Sequence, residues 1–246
     1  MMKWSPLKVL DLFSGIGGFT LGMERTKHYQ TIRFVECGKY QQKVLTKHWP
    51  DIPISSDITK FDGHKVYADV ITGGFPCQPF STAAHGHHTA VDFWPEMLRV
   101  IKEMTPLYVI AENVTQGAIV KAQQDIEEIG NYATTVLKIS ASDCTAPHRR
   151  TRWWLCAYPH MCSEYNGTIY AETQKLPQLC KDVWGSESLT NALRVSDGVP
   201  YRLDRLKCLG NSVVPYIPQV LGEALFKIHK RFMRTLHDQI KEFYDA

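Results

Sequence analysis

A chain of 246 residues with a hydrophobic share of 44% has the length and composition of a single globular α/β domain with a buried core. Its 28 Lys and Arg against 25 Asp and Glu leave a formal charge of +3, which admits a polyanionic partner without demanding one. No run approaches the roughly 18 apolar residues that span a bilayer, and Met1 to Pro6 lacks the apolar stretch of a signal peptide, so the expected location is the cytoplasm, or the nucleus of a eukaryotic host, with no membrane partner.

In chain order, the first apolar run, Lys8 to Phe13, leads straight into Asp11-Leu12-Phe13-Ser14-Gly15-Ile16-Gly17-Gly18. This is a glycine-rich turn at the carboxyl end of a strand and ahead of a helix. Such a turn lets the backbone approach a ligand while the helix N-terminus favours an anionic group. A tight strand-to-helix turn with no ligand fits those residues equally well. The second run, Ile32 to Glu36, closes on a carboxylate where nucleotide-binding α/β folds place one on ribose hydroxyls. Asp57, followed by Ile58, holds a third such position, suited to meeting an adenine or, taken alone, to capping a turn.

The third run, Ala68 to Thr72, opens onto Gly73-Gly74-Phe75-Pro76-Cys77-Gln78-Pro79-Phe80-Ser81. Two prolines fix the backbone around Cys77 and hold its thiol at the edge of the sheet. On residue type alone an inert loop cysteine is the commoner case, and the whole motif reverses that reading. Next, Trp94 to Met104 carries apolar residues at helical spacing and should stop at Pro106. Tyr108 to Ala111 reads as a strand, Gln123 to Ile129 as a helix, and Thr134 to Ile139 and Trp153 to Ala157 as further strands. From Tyr158 to about Arg205 the periodicity dissolves, which predicts a small irregular lobe; Ile217 to Phe232 is then strongly helical and continues as amphipathic, basic sequence to Tyr244.

Seven cysteines without CxxC pairs fit reduced thiols better than a disulfide framework. His85, His87 and His88 suggest a metal, but no second group of ligands stands near them in sequence, and His160 with Cys162 and Cys180 is no stronger; no metal is expected. A solvated helix face is the commoner reading of His229-Lys230-Arg231 with Arg234, with phosphate contact as the other.

Taken together the motifs resemble the cytosine-5 DNA methyltransferase family, in the family's order. Asp11 to Gly18 matches its cofactor loop, Phe75 to Ser81 its nucleophile motif, Glu112-Asn113-Val114 its glutamate motif, Arg150-Thr151-Arg152 its arginine motif, and Gly210-Asn211-Ser212-Val213 its terminal cofactor motif. The resemblance implies a doubly wound, mostly parallel sheet of the Rossmann-like, S-adenosylmethionine-dependent methyltransferase type. A catalytic domain would comprise residues 1–157 and 207–246, and a small target-recognition lobe residues 158–206. It further implies that Cys77 attacks carbon 6 of a flipped-out cytosine, that Glu112 serves ring nitrogen N3, and that Arg150 and Arg152 hold the base oxygen O2, nearby backbone or the glutamate. Phe13, Ser14, Gly15, Gly17, Gly18, Glu36, Asp57, Ile58, Pro76, Asn211 and Ser212 would hold S-adenosyl-L-methionine. Double-stranded DNA is the implied partner of a monomer, with an accessory protein for recognition as an option.

The chain departs from the family in two places. His148 replaces the usual glutamine before the first arginine, and the segment between Ala157 and Leu206 is about half of a typical recognition domain. Arg194 to Pro200, with Arg202 and Arg205, stands where the ninth motif is expected. The sequences Phe93-Trp94-Pro95-Glu96-Met97-Leu98 and Leu203-Asp204-Arg205-Leu206-Lys207 resemble short phage- or prophage-borne members. Two other functions share most of these features: a tRNA cytosine-5 methyltransferase, and a catalytically silent DNA-binding relative.

Overall fold

The computed structural model describes residues 4–76, 92–181 and 208–245. Cys77, the histidine-bearing stretch 81–89, and Arg194, Arg202 and Arg205 lie outside the described residues.

Seven strands form one sheet: β1 (Leu7–Leu12), β2 (Tyr29–Val35), β3 (Ile54–Ser55), β4 (Val70–Gly74), β5 (Tyr108–Asn113), β6 (Tyr132–Ser140) and β7 (Thr151–Pro159). Their order is β3-β2-β1-β4-β5-β7-β6, and β7 runs antiparallel to both of its neighbours. The chain winds outward from β1 through β2 to β3, then returns to β4 on the other side of β1. The gap between the carboxyl ends of β1 and β4 is therefore the topological switch point, where open α/β sheets bind ligands.

The central strands read as continuous apolar runs because both of their faces are covered. On one face lie α1 (Gly18–Arg25), α5 (Asn166–Thr173), α6 (Leu176–Leu179) and the final α7 (Tyr216–Asp245). There Phe19, Met23, Ile169, Leu176, Leu221 and Leu225 meet Val9, Val70, Ile110, Trp154 and Cys156. On the other face α3 (Trp94–Met104) and α4 (Gln116–Glu127) pack Trp94, Met97, Ile101, Ile119 and Ile126 onto Leu10, Ile71, Val109 and Leu155. Burying each such side chain contributes roughly 1.5–3 kcal/mol. The remaining helix, α2 (Lys39–His48), buries only Leu45.

α3 spans the predicted residues. Asp92 Oδ1 accepts from Trp94 N at 3.0 Å, Pro95 occupies the first turn, and Thr105 ends the helix in the left-handed region (φ 47°), just before Pro106. α4 begins seven residues before the predicted Gln123, capped by the Thr115 side chain. Residues 158–181, expected as the start of an irregular lobe, are regular. β7 continues to Pro159, and a 3-10 turn (His160–Tyr165), α5 and α6 then place Cys162, Ile169, Leu176 and Cys180 in the α1–α7 core. Helices of eight and four residues are too short to announce a 3.6-residue period among Pro and Gly. α7 runs past the predicted Phe232 to Asp245, although it is largely exposed beyond Lys230.

Candidate active site

The turn after β1 is built by its own backbone. Phe13, Gly15 and Gly17 all have positive φ (51°, 56° and 86°), Gly17 N donates to Ser14 O at 2.8 Å, and Ser14 N donates to Val35 O at 3.2 Å. The Ser14 hydroxyl is committed to the Asp11 carbonyl. A Cβ on Gly17 would lie 2.5 Å from the Trp49 ring, so both conformation and space demand glycine. Beneath the turn, fully buried Asp11 accepts from Thr20 Oγ1 at 2.9 Å and Thr72 Oγ1 at 2.8 Å, cross-linking β1, α1 and β4; burial pushes its carboxyl up to about 7.

Glu36, one residue past β2, accepts from Gly15 N and Gly38 N, each at 2.7 Å and each on a different oxygen. Each oxygen keeps a lone pair, so the carboxylate grips the glycine turn while remaining able to accept from two hydroxyls. Asp57 caps the 3-10 turn that starts at Ile58, accepting from Thr59 N at 3.0 Å and pairing with Lys60 at 3.4 Å. Its carboxylate thus caps a turn, and hydrogen bonds from the Thr59 hydroxyl, at 2.7 Å, and then from the Thr59 amide hold its pKa below the usual range. Glu36 and Asp57 nevertheless follow adjacent strands on the rim that carries the glycine turn. Ser212 also reaches this turn, since a Cβ on Gly18 would come within 2.9 Å of its Oγ; Asn211 beside it is exposed.

Across the switch point, Gly74 at the end of β4 pairs with Glu112 on β5, and Glu112 pairs with Trp154 on β7. Because β7 is reversed, its first residues enter the sheet beside the last residues of β5. This brings Arg152 Nε within 3.0 Å of Glu112 Oε1. The approach is off the hydrogen-bonding angle, so Glu112 Oε1 is a buried carboxylate oxygen without a hydrogen-bond donor among the described residues. Gly74 makes room for the other oxygen, as a Cβ there would sit 3.0 Å from Glu112 Oε2.

Burial pushes the Glu112 carboxyl from an ordinary 4.5 to about 7, against the opposing pull of Arg152 and then Arg150. Arg150 Nη2 donates to Gly210 O at 3.0 Å, joining the arginine motif to the terminal motif. The site therefore offers a carboxyl poised between protonation states, an ion-paired oxygen that accepts no well-aligned hydrogen bond among the described residues, and two cations.

The segment leading to Cys77 is anchored on the opposite face. Phe75 is buried 5.0 Å from the Trp94 ring, and its carbonyl accepts from Asn113 Nδ2 at 2.9 Å. Exposed Pro76 accepts from Phe93 N at 3.2 Å. Asp11, Gly74, Asn113 and Trp154 stand within motifs or strands of the sequence but are given no individual role there; a polar residue at the end of an apolar strand is the signal that marks Asp11 and Asn113. Among the described residues no group of three or more His, Cys, Asp or Glu could hold a metal ion, and no helix is long and apolar enough to cross a membrane.

A family profile described as C-5 cytosine-specific DNA methylase matches residues 7–197. The chain is 31% identical over 166 residues to the type II methyltransferase M1.ScrFI of Lactococcus lactis subsp. cremoris, covering 63% of this chain and 42% of that protein. It is 33% identical over 168 residues to the type II methyltransferase M.AplI of Arthrospira platensis, covering 63% of this chain and 46% of that one. The chain thus spans less than half the length of these curated relatives. Among solved structures, a prophage-encoded E. coli protein described as a DNA modification methyltransferase superposes with a TM-score of 0.62 at 17% identity, covering 91% of this chain and 99% of its own, a likeness of fold. With the profile matching well over half of its residues, the chain belongs to the C-5 cytosine-specific DNA methylase family.

Proposed function

We propose that this protein transfers a methyl group from S-adenosyl-L-methionine to carbon 5 of a cytosine in double-stranded DNA, with Cys77 as nucleophile. The observation that carries this reading is the ion pair of buried Glu112 with partly buried Arg152, set at the sheet rim across from Gly74, three residues before Cys77. Carbon 5 of cytosine is a poor nucleophile. A thiolate bonding to carbon 6 pushes electron density toward carbon 5, and a proton or strong hydrogen bond at N3 stabilises the charge that develops. A carboxyl near pKa 7 supplies that proton at neutral pH, and its Oε1, ion-paired with Arg152 but with no hydrogen bond of good geometry among the described residues, keeps acceptor capacity for the ring edge. Arg150 and Arg152 add positive charge that favours the thiolate and suits the base oxygen O2. After methyl transfer water in the cleft takes the carbon 5 proton, the electron pair left behind re-forms the carbon 5–carbon 6 double bond and expels the Cys77 thiolate, and N3 returns its proton to Glu112.

The residues of the rim fit the cofactor. Phe13, Ser14, Gly15, Gly17 and Gly18 form a turn that side chains would obstruct, Glu36 retains acceptor capacity for ribose hydroxyls, Asp57 and Ile58 flank the adenine end, and Pro76, Asn211 and Ser212 close the methionine end. The bound sulfonium supplies the electrophilic methyl group. Target recognition falls to the segment 158–206 or to an accessory protein, in a monomeric, cytoplasmic enzyme. Flipping the cytosine out of the duplex costs a few kcal/mol, which DNA contacts must offset.

The test offers tritiated cofactor to the purified protein with duplex DNA or tRNA, and a 5-fluorocytosine duplex to capture the covalent adduct. Label in DNA and an adduct lost in Cys77→Ser support the reading. Label in tRNA alone, DNA retention without transfer, or an adduct that persists in the serine variant overturns it.

A further inference from the structure

Among the residues that the proposed chemistry leaves unassigned, Asn113 is the most heavily tied. It is 2% exposed, and its amide is used at both ends: Nδ2 donates to Phe75 O at 2.9 Å, while Oδ1 accepts from Thr115 N at 3.0 Å. Thr115 in turn caps α4. Asn113 follows Glu112 directly on β5, and successive strand residues face opposite sides of the sheet. Glu112 shares the face of Tyr108 and Ile110, toward α1 and α7, whereas Asn113 shares that of Val109 and Ala111, toward α3 and α4. A base held against Glu112 and Arg152 is therefore out of reach of Asn113, so its influence must pass through the backbone it holds.

That backbone leads to the nucleophile. Phe75 is two residues before Cys77, with only Pro76 between them, and proline fixes φ near −65°. The far end of the same segment is fastened as well, through Phe93 N to Pro76 O and through the Phe75–Trp94 ring contact. Trp94 Nε1 is itself held by Asp125 of α4 at 2.6 Å. The carbonyl of Phe75 has no other donor within β4 or its neighbours among the described residues, and a buried carbonyl left unpaired would shift toward another partner.

We infer that Asn113 is a positioning residue for the nucleophile: its side-chain amide fixes the Phe75 carbonyl and thereby sets the register between Cys77 and Glu112. This rests on the proposed role of Cys77. Nucleophilic addition demands reacting atoms about 3–3.5 Å apart, and an error of about 1 Å costs roughly 10²-fold in rate.

The test is Asn113→Asp, which keeps shape and acceptor but replaces the amide donor with a carboxylate that repels the Phe75 carbonyl. At pH 8.5 the variant should form the 5-fluorocytosine adduct at least tenfold more slowly than wild type, with KM for DNA and cofactor affinity within about threefold. At pH 6, where a buried aspartic acid regains an O–H donor, its rate relative to wild type should recover severalfold. A merely structural role would lower the melting temperature and leave this pH signature absent. Asn113→Ser, uncharged and too short to reach Phe75, replaces the aspartate if that variant does not fold, and should be slow at both pH values. A folded variant that forms adduct at the wild-type rate overturns the inference and leaves Cys77 catalysis intact, whereas wild-type protein that forms no adduct overturns both.

Discussion

Replacing Glu112 by Gln isolates the energetic consequence of burying a carboxyl beside Arg152. In the folded protein its pKa stands at about 7 against an ordinary 4.5, so folding is favoured when the group is protonated. That contribution is complete below about pH 4.5 and is lost as pH rises through about 7. Each pKa unit is worth about 1.4 kcal/mol, and at pH 5 part of the penalty is already present because the unfolded carboxyl is mostly ionised. Between pH 5 and 8.5 the wild type should therefore lose roughly 2–3 kcal/mol through this residue. Glutamine keeps the shape and carries no charge at any pH. Asp11, whose carboxyl is also raised to about 7, titrates in both proteins and cancels. Urea unfolding of wild type and variant across this range should give a stability difference that shifts by roughly 2–3 kcal/mol in favour of glutamine. Parallel stability curves would refute the buried, proton-poised carboxyl and with it the proton donor of the proposed reaction.

Arg152→Met removes the larger of the two cationic influences on Glu112, so the carboxyl should titrate above about 7, shifting the alkaline limb of adduct formation to higher pH. An unmoved limb would show that Arg152 does not act on the carboxyl. Gly17→Ala forces a side chain into left-handed backbone against the Trp49 ring and should lower stability by roughly 2–4 kcal/mol in thermal unfolding, with weaker cofactor binding by calorimetry. Burial among Trp4, Phe226 and Tyr108 lowers the pKa of His229 from its ordinary 6.5, which favours the neutral ring. Its contribution is intact above about pH 6.5 and is lost as pH falls toward the lowered folded value, so His229→Asn should flatten the drop in melting temperature between pH 7.5 and 5.

The strands that frame the site were legible because they are buried on both faces, and runs such as Val9-Leu10 and Tyr108 to Ala111 have no other plausible home. Pro106 marked the end of α3 for a covalent reason that no tertiary context alters. α2 stayed hidden because only Leu45 of its ten residues is buried, leaving too little apolar signal, and the two residues of β3 are too few to show alternation. The direction of β7 could not be read at all, since side-chain period is the same for parallel and antiparallel pairing. Glu112 and the arginines were found through motif resemblance, which named the glutamate only as one of several partners for the arginines; the pairing of Arg152 with Glu112 depends on that reversed strand. Asn113 was visible as a letter of a motif, while its purpose needed the carbonyl 38 positions away.

The reversed strand also bears on how the protein folds. β6 and β7 pair as a hairpin whose innermost partners, Ser140 and Thr151, are close in sequence, whereas Glu112 reaches this hairpin only when β5 docks along it. Local hairpins close in about 1–10 μs, well ahead of contacts that span a crossover helix. The two arginines are therefore delivered on a preassembled ribbon that waits for its acidic counterpart, and the carboxyl remains hydrated and ordinary until that late docking step. Pulse-labelled amide exchange should find β6–β7 protected before β5, and simultaneous protection of the two would contradict this sequence of events.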